Sequence, residues 1–249
     1  MSGSPVEAGR GSRLSELSRV TAAERGRAGA VCVLPVGALE QHGDHLPVGT
    51  DSLLVETVAL RAAGLARADA IVAPTVWTGL SPHHVRLGVT VTLEPELLIE
   101  LTRQIVRCLR PWFRDVVIVN GHGGNRGWLG ALALAEECPY VSYWELVEPS
   151  LLAELFPVDL GSVGHAGQVE TSAMLAVAPG LVGTASQAFE PITRANDPFL
   201  LPDMGASGVL GDPAAASPAA GEQFVATASR GLADVLDALA RPDSEKGRP

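Results

Sequence analysis

Val31-Cys32-Val33-Leu34-Pro35-Val36 runs within a few residues into Glu40-Gln41-His42-Gly43-Asp44-His45-Leu46-Pro47-Val48-Gly49-Thr50-Asp51. The first run, from Ala30, reads as a buried strand. The second delivers a carboxylate, two imidazoles and another carboxylate straight off that strand. Divalent cations of hard or borderline character take carboxylate oxygen and neutral imidazole nitrogen, so the stretch reads as the start of a metal site.

Outward from it, apolar runs alternate with helical periodicity. A helix is expected over 51–66, with Thr50 or Asp51 able to cap it through a side-chain oxygen. Residues 70–76 read as a strand opening into Trp77-Thr78-Gly79-Leu80-Ser81-Pro82-His83-His84, and 89–93 as a short strand. Glu94-Pro95-Glu96 starts a helix to Leu109, with Leu97, Leu98, Leu101, Ile105 and Leu109 on one side. Residues 115–120 are the most strand-like run and end in Gly121-His122-Gly123-Gly124-Asn125. A helix over 126–137, a strand over 140–147 and a short helix over 150–156 follow. His165-Ala166-Gly167-Gln168-Val169-Glu170-Thr171-Ser172 opens a helix to Val177, residues 178–217 read as irregular, and 222–239 as a closing helix. Upstream, 14–27 has helical spacing. The alternation predicts an α/β fold: a three-layer α/β/α domain over 13–240 with a mostly parallel sheet, between disordered tails at 1–12 and 241–249.

The 249 residues are 47 % hydrophobic and 18 % charged, which fits a globular chain and excludes a disordered one. Net charge is −10 and no Lys/Arg cluster occurs, so nucleic acid is not an expected partner. No apolar run reaches the roughly 18 residues of a membrane span, and the Gly/Ser-rich start lacks a secretory apolar segment. The expected location is the cytoplasm. Cys32, Cys108 and Cys138 have no motif spacing and read as buried, reduced thiols.

All six histidines fall in loops between the expected elements, and His42, His45 and His122 directly follow a strand and precede a helix. In an open α/β sheet such loops gather at the carboxyl ends of the strands, where ligands bind. Each residue has a plainer reading. A lone His after a strand is usually a polar loop residue, Asp51 an N-cap, and Glu170 a first-turn acid opposing the helix dipole. Trp77 and Trp144 are more often packing residues than pocket walls. The Gly-rich loop at His122 lacks the Lys and the spacing of a phosphate loop. Taken together, though, Glu40, His42, Asp51, His122 and Glu170 are the inventory of a two-metal site with one bridging carboxylate. Cations roughly 3.5–4 Å apart there can hold a hydroxide and polarise a carbonyl.

Across about residues 30–240 the chain resembles the creatininase (creatinine amidohydrolase) family. The motifs are Leu34-Pro35-Val36-Gly37-Ala38-Leu39-Glu40-Gln41-His42-Gly43-Asp44-His45-Leu46-Pro47 with Asp51, then Asn120-Gly121-His122-Gly123-Gly124-Asn125. Ser142-Tyr143-Trp144-Glu145, the His165–Ser172 run and Gly208-Val209-Leu210-Gly211-Asp212 complete them, in order. The resemblance implies two divalent ions per chain (Zn, Mn or Fe). Glu40 and His122 would hold one ion, His42 and Glu170 the other, and Asp51 would bridge. It also implies His165 as proton donor, Gly123, Gly124, Trp144 and His84 as substrate contacts, and a homohexamer. The implied activity is hydrolysis of a C–N amide bond in a cyclic or small amide by the metal-bridging hydroxide. The alternative is a short peptide, since Gly208–Asp212 is similar to the mycofactocin-linked peptidases. A non-catalytic metal-binding homologue is a third reading. There are two departures: creatininase has an acid where this chain has Gly124, so that Glu170 would supply that ligand here, and a tryptophan within the stretch that here runs from Asp159 to Gly164, whose absence counts against creatinine itself.

Overall fold

In the computed structural model, which describes residues 11–158, 163–184 and 204–240, five strands form one sheet. They are β1 (Ser12–Arg13), β2 (Val31–Val36), β3 (Ala70–Val72), β4 (Asp115–Asn120) and β5 (Tyr140–Ser142), in the order β1-β3-β2-β4-β5. Every neighbouring pair is parallel. The helices are α1 (Arg19–Arg27), α2 (Thr50–Leu65), α3 (Pro95–Leu109), α4 (Arg126–Ala135), α5 (Pro149–Leu155), α6 (Gln168–Val177) and α7 (Pro218–Leu239).

Successive strand residues point to opposite faces. Val31, Val33, Val117 and Val119 pack with the apolar faces of α2, α6 and α7. Cys32, Leu34, Val36, Val116 and Ile118 pack with Leu98 and Val106 of α3 and Leu129 and Leu132 of α4. Both sheet faces are covered, which is why β2 is apolar throughout instead of alternating. On the first face α6 and α7 meet closely: a Cβ at Gly221 would come 1.9 Å from the Ser172 carbonyl oxygen.

Several expected elements differ. β3 stops at Val72, because Pro74 has no N–H for the ladder; Val76 returns only as an isolated bridge to Val36. Residues 89–93 form no strand, only bridges from Val91 to Leu39 and from Thr92 to Gly79. β5 ends at Ser142, and Tyr143–Leu146 tighten into a 3-10 turn that buries Tyr143. On α3 the buried stripe is Leu98, Thr102 and Val106, so Leu97 and Leu101 lie exposed, and Cys108 is exposed with them. Trp77 is half exposed. The first helix starts only at Arg19, capped by Ser18, whose side chain accepts from Thr21 N–H. Ser12, placed in the expected tail, pairs with Ile71. Residues 1–10, 185–203 and 241–249, which hold the rest of both tails and much of the expected irregular stretch, lie outside the described residues.

Candidate metal centre

The central strands end level with one another. Val36 is in register with Asn120, and Asn120 with Ser142. The chain leaves β2 toward one side of the sheet and β4 toward the other, which opens a crevice between their carboxyl ends. The buried side chain of Asn125 ties the crevice together. Its Nδ2 donates to the Gly37 carbonyl (3.0 Å), and its Oδ1 accepts the Leu80 N–H (2.9 Å). One amide thus joins the loops after β2, β3 and β4.

These loops, with the turn that enters α6, bring Glu40, His42, Asp51, His122, His165 and Glu170 together, all buried. Asp51 sits in the first turn of α2 but does not cap it: Gly49 takes the cap position without a side-chain bond, and Thr50 Oγ1 donates to the Pro47 carbonyl. The Asp51 carboxylate instead faces two imidazoles. Glu170, in the first turn of α6, accepts the Ala166 N–H at 2.5 Å. Ala166 has φ +51, a left-handed backbone rare outside glycine. His165 precedes α6 and bridges to Leu210.

Backbone carbonyls orient the three imidazoles. A carbonyl oxygen can only accept, so the ring nitrogen facing it carries a proton, and in the neutral ring the other nitrogen offers the lone pair. His42 Nδ1 donates to the Glu40 carbonyl (3.0 Å), which turns Nε2 toward Asp51 Oδ1 (3.3 Å) and Glu170 Oε2 (3.7 Å). His122 Nε2 donates to the Leu80 carbonyl (2.9 Å), leaving Nδ1 at 3.1 Å from Asp51 Oδ2. Glu40 Oε2 stands 3.3 Å from His122 Nε2. His165 Nε2 donates to the Gln41 carbonyl (2.8 Å), and its Nδ1 faces Glu40 Oε1 at 3.4 Å.

The donor set fits divalent cations. Both oxygens of Glu40, His42 Nε2 and Asp51 Oδ2 are buried without a hydrogen-bond partner among the described residues. Leaving such groups unmet costs several kcal/mol in a dry interior, and a cation would meet all of them. Two compact sets of ligand-type atoms recur here, Glu40–Asp51–His122 and His42–His165–Glu170. Asp51 turns one oxygen to His122 and the other to His42.

The charges agree. Burial pushes the Glu40 carboxyl up to about 7. Burial opposes ionisation of Asp51, yet His42 and His122 hold its carboxyl below the usual range. Burial also opposes charge on His122 and His42, but Glu40 and Asp51 raise the first to about 9, and Asp51 and Glu170 hold the second well above normal. The field of this pocket favours positive charge.

The remaining expected residues divide. His84 is buried, with Nε2 3.5 Å from Glu40 Oε1, while His83 is half-buried beside it, ring centroids 4.1 Å apart. Gly123 is exposed, with nothing within 4 Å of where a Cβ would be. Gly124 has no such freedom: a Cβ there would come 2.1 Å from the Leu80 oxygen and 2.6 Å from His122 Nε2. Trp144 is half-buried against the apolar core, edge-on to Tyr143 at 5.4 Å. Residues 159–162, part of the stretch lacking a tryptophan, lie outside the described residues.

Residue types alone did not single out Gln41, Ser81, Asn120 or Asn125. Ser81 Oγ lies 3.3 Å from His122 Nε2, and Asn120 brackets His122, accepting its N–H and donating to its carbonyl. Gln41, Asn120 and Asn125 lie inside the quoted motifs, a signal that was available; nothing marked Ser81.

A family model described as creatinine amidohydrolase matches residues 15–236. The mycofactocin precursor peptide peptidase of Mycobacterium tuberculosis (strain ATCC 25618 / H37Rv) is 32 % identical over 231 residues, 86 % of this chain and 87 % of that protein. The creatinine amidohydrolase of Pseudomonas putida is 32 % identical over 234 residues, 83 % and 88 % of the two chains. A crystal structure of creatininase superposes with a TM-score of 0.79 at 30 % identity, covering 92 % of this chain and 98 % of that one. Other solved creatininases are described as a manganese form and a Zn–Zn type.

Proposed function

We propose that this chain, which belongs to the creatininase family, is a hydrolase that cleaves a C–N amide bond using two divalent cations, zinc, manganese or iron. Glu40, Asp51 and His122 would hold one ion, and His42, Asp51 and Glu170 the other. When bound, such ions polarise the carbonyl and lower the pKa of the attacking water. The observation that carries this reading is the cluster of buried, unpartnered ligand atoms on Glu40, His42 and Asp51.

The protein's own part is orientation and proton transfer. His165 faces the centre with the unprotonated Nδ1, since Nε2–H is held by the Gln41 carbonyl. It therefore begins as the base. Nδ1 takes the proton of the attacking water as its oxygen adds to the carbonyl carbon. The same proton then goes to the leaving nitrogen as the C–N bond breaks.

For the substrate, relatives of equal identity are named for creatinine and for a precursor peptide. The peptide reading is favoured by Gly123, exposed beside His122 with open space around it, and by Trp144, which packs on the core. For assembly and location the reading is a cytoplasmic homo-oligomer without nucleic-acid or membrane partners. Among the described residues no helix is long and apolar enough to cross a membrane.

The test compares wild type with His122→Ala by metal mass spectrometry and by hydrolysis of creatinine, a formamide and short peptides. Close to two ions per chain in wild type is expected, falling in the variant, with hydrolysis abolished by a chelator. One ion or none, unaltered by the substitution and not restored by added zinc or manganese, would leave a non-catalytic binding protein.

A further inference from the structure

Glu40, His84 and His165 form a third compact set of ligand-type atoms. Glu40 Oε1 lies 3.5 Å from His84 Nε2 and 3.4 Å from His165 Nδ1, and all three residues are buried. By spacing alone this is another cation site. What decides is the far nitrogen of each ring, and both far nitrogens meet Gln41.

The Gln41 amide can sit only one way round. The Gly43 N–H, which can only donate, ends on Oε1 at 3.0 Å. The Gly208 carbonyl, which can only accept, faces Nε2 at 3.0 Å. So the group 2.7 Å from His84 Nδ1 is the amide NH2, a donor. His84 Nδ1 must accept, and the proton of the neutral ring sits on Nε2, pointing at Glu40. A protonated nitrogen cannot bind a cation. His165 has the opposite arrangement: its Nε2 gives its proton to the Gln41 carbonyl at 2.8 Å, so Nδ1 offers a lone pair. The segment at Gly208 is pressed onto the amide; a Cβ there would come 2.4 Å from Gln41 Oε1.

We propose that Gln41 is a positioning residue, which fixes His84 and His165 as opposite tautomers on either side of Glu40 Oε1. The trio is thereby a donor and an acceptor around one carboxylate oxygen, and not a third cation site. His84 turns its N–H toward Glu40 Oε1 at 3.5 Å, too far for a hydrogen bond, while His165 keeps a lone pair on Nδ1. The tautomers stand independently of the proposed hydrolase activity; their effect on turnover rests on it.

The experiment is nitrogen-15 NMR of the histidine rings in the zinc-loaded full chain, with ion content measured alongside. His84 is expected to be neutral and protonated at Nε2, with the same ion content in wild type and His84→Ala. Gln41→Glu places an acceptor opposite His84 Nδ1, so a proton should appear on that nitrogen. Turnover should fall about tenfold to a hundredfold, with melting temperature and ion content retained. If Gln41→Glu does not fold, Gln41→Met takes its place and the tautomer preference should weaken. A zinc-shifted or Nδ1-protonated His84 in wild type, or an ion lost in His84→Ala, overturns the proposal. A wild type with the expected tautomers and no hydrolysis of any amide overturns the functional reading instead.

Discussion

The loop after β2 and the loop after β3 leave the sheet side by side, yet they contribute differently. The first carries Glu40 and His42 and leads into Asp51, residues whose unpartnered atoms converge on the proposed ions. The second contributes a backbone carbonyl at Leu80 and the Ser81 hydroxyl, which meet His122, and the His84 ring, which stands beside Glu40. The difference teaches that a ring such as His122 is aimed in part by a separate piece of chain, whereas His42 is aimed from within its own loop. Precision at the centre then depends on how the pieces are joined.

The largest expected effect separates ligand from proton carrier. His165→Ala should keep the ions and lose on the order of 10²–10⁴-fold in turnover, checked by kinetics beside metal analysis. Wild-type turnover would remove His165 from the mechanism, and lost ions would make it a ligand. Next comes the joint between the loops. Asn125→Ala leaves the Leu80 N–H and the Gly37 carbonyl without their buried partner, so stability should fall by about 1–3 kcal/mol. Thermal unfolding measures it; an unchanged melting temperature would mean the loops are held together elsewhere.

The smallest effect is one of pH on the metal-free protein. His122 is raised to about 9 and His42 well above normal, so from about pH 7 to about pH 9 the folded chain holds more protons than the unfolded one. Stability should therefore fall as pH rises through that window. His84 and His165, buried and beside other imidazoles, are held below the ordinary 6.5 and are neutral in both states there. Below that value they hold fewer protons than in the unfolded chain while Glu40, raised to about 7, holds more, so no simple slope is expected. Zinc, taking the place of the protons, should flatten the dependence above pH 7. A melting temperature that rises with pH in the metal-free protein would contradict the arrangement of charges.

Much of this was legible because some physical demands act on residue type. Strands covered on both faces must be apolar throughout, and β2 and β4 could be read at once. The fold of alternating strands and helices followed from them. β3 and β5 were overrun because an apolar run does not say where the ladder loses its partners; Pro74 and the turn at Tyr143 decide that. Of the expected side of α3, Leu98 is buried and Ile105 and Leu109 pack against the core, but Leu97 and Leu101 face outward, since Leu97 and Leu98 are equally apolar and only the sheet and α4 select between them. At the centre, carboxylates and imidazoles announce themselves by type. The Leu80 and Gln41 carbonyls that orient His122 and His165 belong to the backbone, which every residue shares, so no sequence pattern distinguishes them.

The close approach of α7 to α6 works as a gauge. With no side chain at Gly221, α6 rests directly on its neighbour, and Glu170 rides on α6. A methyl group at 221 would meet the Ser172 carbonyl, two residues beyond Glu170, and would shim the two helices apart. The spacing of the proposed ligands is thereby calibrated in part from a helix that offers none of them.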